Sequence, residues 1–392
     1  MKNILLITSR DVIDEVGKAT SVGAATLIYK RATAFYQNYK YTTFILPLNG
    51  AVKTKSTGHL GSEYINYKNM SLKKSIEKFI RSKHPKIIIF SGEKSYLYHS
   101  DVRKLIKKEN LNSELILDLH GALEEGIEHS SGIASIFAYF SYIIKKSLYK
   151  SVAKESESLL VVSDELAKHS IKLLPDNRND KNIYKIRCGV SEVLKNDDRF
   201  IWRKEIRNKL GIKDDTLVFV YSGFRAKWQN IDEIIRIFKK INQLHDNVYF
   251  VLLTNTDEDF ERLLADAFPE ENYFCAHVPQ TEVHKYLVAC DVGMLIRYEN
   301  NTNKVAFPNK FSDYINAGLS LCISPSLREP VRILDKYEVP FIKLMPEENY
   351  IKNMYSQFEK RKNNLEKYYN ICNIICETEL LYSAQLKHII CE

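Results

Sequence analysis

What the 392-residue sequence lacks narrows its class at once. No apolar run reaches the roughly 20 residues that a membrane-spanning helix needs. The opening "MKNILLITSR" is apolar for only a few residues before it turns charged. It reads as a first buried strand and not as a secretory leader. The seven cysteines (188, 275, 290, 322, 372, 376 and 391) are scattered and odd in number, with no CxxC pair beside a matching His or Cys cluster. Neither a disulfide framework nor a zinc site fits that pattern, and a cytoplasmic, reducing setting does. The phosphate-loop signature is missing too: in "VGKAT" 16–20 the residue after Gly17 and Lys18 is Ala19, and no glycine precedes at the required spacing. Lysines are dispersed instead of interleaved with stacking aromatics, so no nucleic-acid partner is expected.

What is present is globular: 45% hydrophobic residues with 27% charged. The length exceeds what one core comfortably holds, and two domains are the natural expectation. A net charge of +8 conceals an asymmetry. Residues 1–195 carry 31 Lys and Arg against 20 Asp and Glu, a balance of +11, whereas the remainder carries 26 against 29, or −3. One domain is therefore expected to meet something anionic, such as a membrane surface or a phosphorylated substrate.

Short β-branched runs recur along the first half: "NILLIT" 3–8, "TTFILP" 42–47, "KIIIFS" 86–91, "ELILDL" 114–119 and "LLVVS" 159–163. Amphipathic stretches such as "LKKSIEKFIRS" 72–82 lie between them. Continuous apolar strands separated by helices describe a parallel sheet covered on both faces. The pattern restarts with "TLVFVYSG" 216–223, "VYFVLLT" 248–254, "YFCAHV" 273–278, "DVGMLI" 291–296 and "LSLCIS" 319–324. The turn-forming "CGVSEVLKNDDRF" 188–200 separates the two series, and periodicity predicts helix throughout the last stretch from Asn349. The expected fold class is α/β: two doubly wound, Rossmann-like domains facing across a cleft, with ligand at the carboxyl ends of the strands.

Two stretches could do chemistry there. In "AFPNKFSDYINAG" 306–318, Pro308 suits the first helical turn, whose free amides and dipole attract anions, and Lys310 adds a full charge. Asn309, Lys310 and Asp313 share one helix face, with Gly318 as a C-cap. The same residues also fit an ordinary amphipathic helix with a solvated polar face. In "YSGFRAKWQN" 221–230, Gly223 lets the backbone approach a ligand, and Arg225 and Lys227 bring two cations to the turn. A basic surface loop over Trp228 is the alternative.

Together "YSGFRAKWQN", "CDVGMLIRYENN" and "AFPNKFSDYINAGLSLCIS" resemble the donor domain of GT-B nucleotide-sugar glycosyltransferases, in particular the large retaining family that builds bacterial capsule, O-antigen and other surface polysaccharides. "LDLHGALEEG" 117–126, "VVSDELAKH" 161–169 and "IRCGVSEVLK" 186–195 are similar to that family's acceptor domain and crossover. The resemblance implies an acceptor-binding domain over 1–190, a donor-binding domain over 191–350, and C-terminal helices over 351–392 that cross back to the first domain. It implies a nucleotide diphosphate sugar as co-substrate, no metal cofactor, and a glycan or polyprenyl-diphosphate-linked saccharide as acceptor. By the same resemblance Gly223, Arg225, Lys227, Tyr298, Pro308, Asn309 and Lys310 would hold the donor. Asp313 would take the ribose, Gly17 and Lys18 would lie near the phosphates, and His120 would hydrogen-bond the donor sugar at the transfer centre. Without the family, His120 reads as a histidine satisfying groups around Asp118.

The chain departs from the family at Val305, where a Glu is frequent eight residues ahead of the ribose contact, and Asp313 itself stands for a Glu. Val305 keeps open a non-catalytic nucleotide-sugar-binding protein, and the shared architecture keeps open a sugar-nucleotide epimerase. "TDED" 256–259 is acidic, but acids at a helix start are ordinary and metal is not expected there. In "GIASIFAYFSYIIKKSLYKSVAKES" 132–156, Ile133, Ile136, Phe137, Phe140, Ile143, Ile144 and Leu148 form an apolar stripe, and Lys146, Lys150 and Lys154 a basic one. Such a helix fits either an anionic membrane, with the protein peripheral on its inner face, or a core-facing position with solvated lysines.

Overall fold

The apolar runs become strands. A computed structural model describes residues 2–9, 22–48, 61–65, 70–174, 182–226, 229–339, 341–343 and 361–390. The chain divides into two compact units, Met1–Ser191 with Leu381–Glu392, and Glu192–Leu380.

In the first unit β1 (Lys2–Thr8), β2 (Tyr41–Pro47), β3 (Ser62–Tyr64), β4 (Ile87–Ser91), β5 (Glu114–Leu119), β6 (Ser158–Val161) and β7 (Asn182–Lys185) form one sheet in the order β3-β2-β1-β4-β5-β6-β7. Every pairing is parallel. Ile4, Leu5, Ile7 and Ile88 are fully buried, as strands covered on both faces require. The covering helices follow their sequence grammar. Over Leu72–Lys83 the Ser71 side chain accepts from Lys74 N, and Ile76, Phe79 and Ile80 turn inward at helical spacing.

The second unit repeats the plan with β8 (Leu217–Ser222), β9 (Val248–Leu253), β10 (Tyr273–Ala276), β11 (Val292–Leu295), β12 (Ser320–Ile323) and β13 (Phe341–Lys343), ordered β10-β9-β8-β11-β12-β13 and again all parallel. Its core holds a run of rings: Phe250 lies 4.5 Å from Phe238, 5.8 Å from Phe219 and 4.9 Å from Phe268. In each sheet the chain starts mid-sheet, steps to one edge, then resumes on the other side of its first strand. The strand order therefore reverses between β1 and β4 and between β8 and β11, and the crevice at the carboxyl ends there is where ligands sit in such sheets.

At the amino end of the second sheet, fully buried Asp291 binds three guanidiniums: Arg203 at 2.6 Å, Arg207 at 2.7 Å and Arg361 at 2.9 Å. It also accepts Val218 N at 2.9 Å. Burial opposes ionisation, but Arg203, Arg207 and Arg361 outweigh it and hold the carboxyl below the usual carboxylate range.

One expectation changes, and one open alternative is decided. The C-terminal stretch is not one helix: Leu365–Ile375 runs into a π-helical turn, Cys376–Leu380, and Leu381 then bridges Val190 as extended chain. From there the chain belongs to the first unit. Tyr39 Oη donates to Ser383 O at 2.5 Å, Arg187 N to Gln385 Oε1 at 2.7 Å and Gly189 N to Tyr382 Oη at 2.8 Å. Extended pairing at one residue is what a helical period cannot reveal. The open alternative concerns the helix Ile133–Glu155, whose apolar stripe does not face a core. Only Tyr149, Val152 and Ala153 are buried, while Ile133, Phe137 and Ile144 are 76%, 71% and 68% exposed. Among the described residues no helix is long and apolar enough to cross a membrane.

Candidate functional site

In the second unit the site grows from the ends of β8 and β11, the two strands at the reversal. β8 stops at Ser222, and Gly223 turns the chain at φ 127°, a conformation that L side chains rarely adopt. A Cβ at that position would lie 2.5 Å from Lys310 Cε, so the glycine is what allows the lysine to lie against the strand end. Lys310 is in the first turn of the helix Asn309–Ala317. Pro308 stands one residue earlier than expected, as the extended N-cap, and Gly318 closes the helix in the left-handed conformation with its N–H on Ile315 O. Tyr314 of this helix accepts Ser222 N at 3.0 Å, tying helix to strand.

The Lys310 ammonium donates to Gln229 Oε1 at 2.7 Å and sits 4.0 Å from the centre of the Tyr221 ring. Arg297, just beyond β11, donates to the same Gln229 oxygen, and its backbone N–H reaches Ser324 Oγ at 2.8 Å. Two cations thus share one neutral acceptor. Burial, and after it the Arg297 charge, pushes Lys310 well below the ordinary lysine range. Burial brings Arg297 down to about 10, with Tyr221 and Tyr314 acting in the other direction. The Tyr221 and Tyr314 phenols are pushed up, chiefly by burial. A place that disfavours positive charge yet holds two positive groups is one that an anion would complete.

Other expected residues fall differently. Arg225 is turned to the Asp257 carboxylate, with its guanidinium 4.5 Å from the centre of the Phe260 ring. Asp257 is also the N-cap that accepts Phe260 N at 2.9 Å. The acidic stretch therefore serves helix capping and an arginine, as its place at a helix start suggested. Tyr298 is exposed, its carbonyl accepting Asn303 Nδ2 at 2.9 Å. Asn309 and Asp313 are half-buried on the helix of Lys310, and Val305 is buried. Gly17, Lys18 and Lys227 lie outside the described residues. Sequence reasoning missed Arg297, Gln229 and Tyr221. A lone arginine ending the apolar "DVGMLIR" run was the available signal for the first.

In the first unit His120 follows β5 directly. Its Nε2 lies 2.5 Å from Asp118 Oδ2, and the other carboxylate oxygen takes Arg31 Nη1 at 3.1 Å. Arg31 Nη2 donates to Ile186 O at 2.9 Å. Asp118 is 3% exposed. The carboxylate fixes the imidazole's orientation, and Arg31 in turn compensates the buried carboxylate. Among the described residues no group of three or more His, Cys, Asp or Glu stands together as a metal site would require.

Two doubly wound domains of this strand order, with the C-terminal segment returning to the first, define the GT-B fold, and this chain has it. No known family profile matches the sequence, and no curated protein matches it either. Solved structures do. A glycosyltransferase from Rickettsia africae ESF-5 is similar at TM-score 0.67 and 11% identity, over 99% of this chain and 97% of that one. WaaG, a glycosyltransferase involved in lipopolysaccharide biosynthesis, is similar at TM-score 0.64 and 12% identity, over 98% of each chain. The trehalose-6-phosphate protein from E. coli bound with UDP-2-fluoro glucose is similar at TM-score 0.62 and 10% identity, over 99% of this chain and 98% of that one. At these identities the likeness is one of fold.

Proposed function

We propose that this chain is a glycosyltransferase that moves a sugar from a nucleotide diphosphate sugar to a hydroxyl of a glycan or lipid-linked saccharide, with retention of configuration, in bacterial surface polysaccharide biosynthesis. The observation that carries this reading is the convergence of Lys310 and Arg297 on the single neutral oxygen of Gln229 at the strand reversal. A diphosphate bound there would meet both cations at once. The named glycosyltransferases of the same fold, one of them in lipopolysaccharide biosynthesis, support the reaction class.

In this reading Lys310 and Arg297 meet the diphosphate, joined by Arg225 and Lys227 of the loop after β8. Asp313 takes the ribose hydroxyls, and Pro308, Asn309 and Tyr298 shape the donor's surroundings. Gly17 and Lys18 belong to the phosphate contacts, and His120, held by Asp118, hydrogen-bonds the donor sugar. As the glycosidic bond breaks, its electron pair leaves with the diphosphate. Lys310 and Arg297, which already converge there, stabilise that growing charge, so the reading calls for no metal. An acceptor on a polyprenyl diphosphate brings the chain to the inner face of the cytoplasmic membrane.

Thermal-shift measurement against a panel of nucleoside diphosphates and nucleotide sugars tests the reading. One of them is expected to raise Tm in proportion to occupancy, and silence across the whole panel removes it. A second reading, nucleotide-sugar binding without transfer, is favoured by Val305, whose buried side chain leaves no carboxylate where the resembling family often has one. It predicts the same thermal shift with no sugar delivered to any lipid-linked acceptor.

A further inference from the structure

The exposed half of the helix Ile133–Glu155 is the feature the donor site does not use. Over Ile133–Ile144 twelve residues run without a charge. Ile133, Ile136, Phe137, Phe140, Ile143 and Ile144 are exposed there, and they lie on the side of the helix opposite Tyr149, Val152 and Ala153, which pack inward. Beyond Ile144 the outward side carries Lys150 and Lys154. From His129 to Lys154 the chain holds four lysines and no Asp or Glu.

This face is held in place. Tyr142 Oη donates to Glu124 Oε1 at 3.2 Å, and the same carboxylate meets His169 Nε2 at 3.0 Å. Lys145 pairs with Glu93 at 3.3 Å. The helix is thus anchored by its polar side chains while its isoleucines and phenylalanines point to solvent.

We infer that this helix is a membrane-docking element that lies in the plane of an anionic lipid surface, with Ile133, Phe137, Phe140 and Ile144 in the acyl boundary and Lys150 and Lys154 among the headgroups. The uncharged segment is about 18 Å long, too short for a hydrocarbon core of about 30 Å and suited to lying within its interface. The occupant is argued from charge. An apolar protein partner needs no lysine border, whereas the acid-free run and the +11 balance of residues 1–195 complement a negative leaflet. The inference deepens the proposed function by naming the surface through which the enzyme would reach a lipid-linked acceptor. It can fail while nucleotide binding holds, and the reverse.

The test is co-sedimentation of the full chain with phosphatidylcholine vesicles, with and without phosphatidylglycerol. Binding is expected only when phosphatidylglycerol is present, and it should weaken with salt. The double variant Phe137→Ser with Phe140→Ser should bind about 100-fold more weakly. Lys150→Glu with Lys154→Glu should lose at least about 30-fold. Both variants change exposed residues and should keep the parent's Tm and its response to nucleoside diphosphates, so a loss reports on the surface alone. No binding by the parent, or equal binding by the serine variant, overturns the inference. So does a parent dimer in sedimentation velocity that the serine variant breaks, which would give the face to a second copy of this chain.

Discussion

Lys310 places an ammonium where the protein supplies a neutral oxygen and an aromatic ring, so its charge costs stability until a ligand arrives. Its pKa is depressed on folding, chiefly by burial. The cost is therefore full below that lowered pKa and disappears as pH rises toward the unfolded value of about 10.4. Lys310→Met is expected to raise the Tm of the ligand-free protein by ~2–4 °C at neutral pH, with a smaller gain near pH 10, and to abolish the shift with nucleoside diphosphate. Melting curves of both proteins at the two pH values, with and without ligand, check all three parts. Gly223→Ala attacks the same contact from the other side. The new methyl group requires an unfavourable φ and meets Lys310 Cε. We expect a loss of about 1–3 kcal/mol in a denaturant melt, together with at least tenfold weaker nucleotide binding by calorimetry.

Strands were the most legible elements, because two-sided burial demands β-branched runs that stand out from the helices around them. The strands that sequence reading omits are β3, β7 and β13, reading "SEY", "NIYK" and "FIK", all at sheet edges. An edge strand has one neighbour and carries polar residues at little cost, so its pattern merges with a loop. The site was half legible for a related reason. Proline, asparagine and lysine opening a helix mark Lys310 locally, but Arg297 and Gln229 become its neighbours only because β11 pairs with β8, which no local pattern states. Likewise, helical periodicity showed an apolar stripe on Ile133–Glu155 without saying what covers it. Asp291 was invisible for the same cause, since its three arginines come from residues 203, 207 and 361. Asp291→Asn leaves three guanidiniums, those of Arg207 and Arg361 buried, without their shared carboxylate and should cost about 3–5 kcal/mol. Because the folded carboxyl is held below its usual range, its stabilisation is present above about pH 4 and lost as pH falls through the lowered value. The difference in stability between parent and variant should therefore be constant from pH 5 to 8 and shrink in acid, as urea titrations across that range would show.

Two units folded to one plan differ in what they carry: the second holds the convergent cations, and the first holds the Asp118–His120 pair and the exposed helix Ile133–Glu155. What joins them in sequence is traversed twice, once at Ser191 and again where Leu381 returns to bridge Val190. That return is a structural commitment of the first unit. Tyr382, Leu386 and Ile389 are buried, and Gly189 N, Arg187 N and Tyr39 Oη each find their partner in it. Removing residues 381–392 takes away three buried apolar side chains together with buried Gln385, on the order of 5 kcal/mol, a large share of what holds a domain folded. The second unit ends at Leu380 and keeps Lys310, Arg297 and Gln229 intact. Calorimetry of the truncated chain should accordingly show two transitions. One should fall by ten degrees or more relative to the parent, roughly, for a unit of this size. The other should stay in place and still rise with nucleoside diphosphate. A single transition that drops and no longer responds to nucleotide would mean that the returning segment stabilises both units, and that the Lys310 site depends on the first.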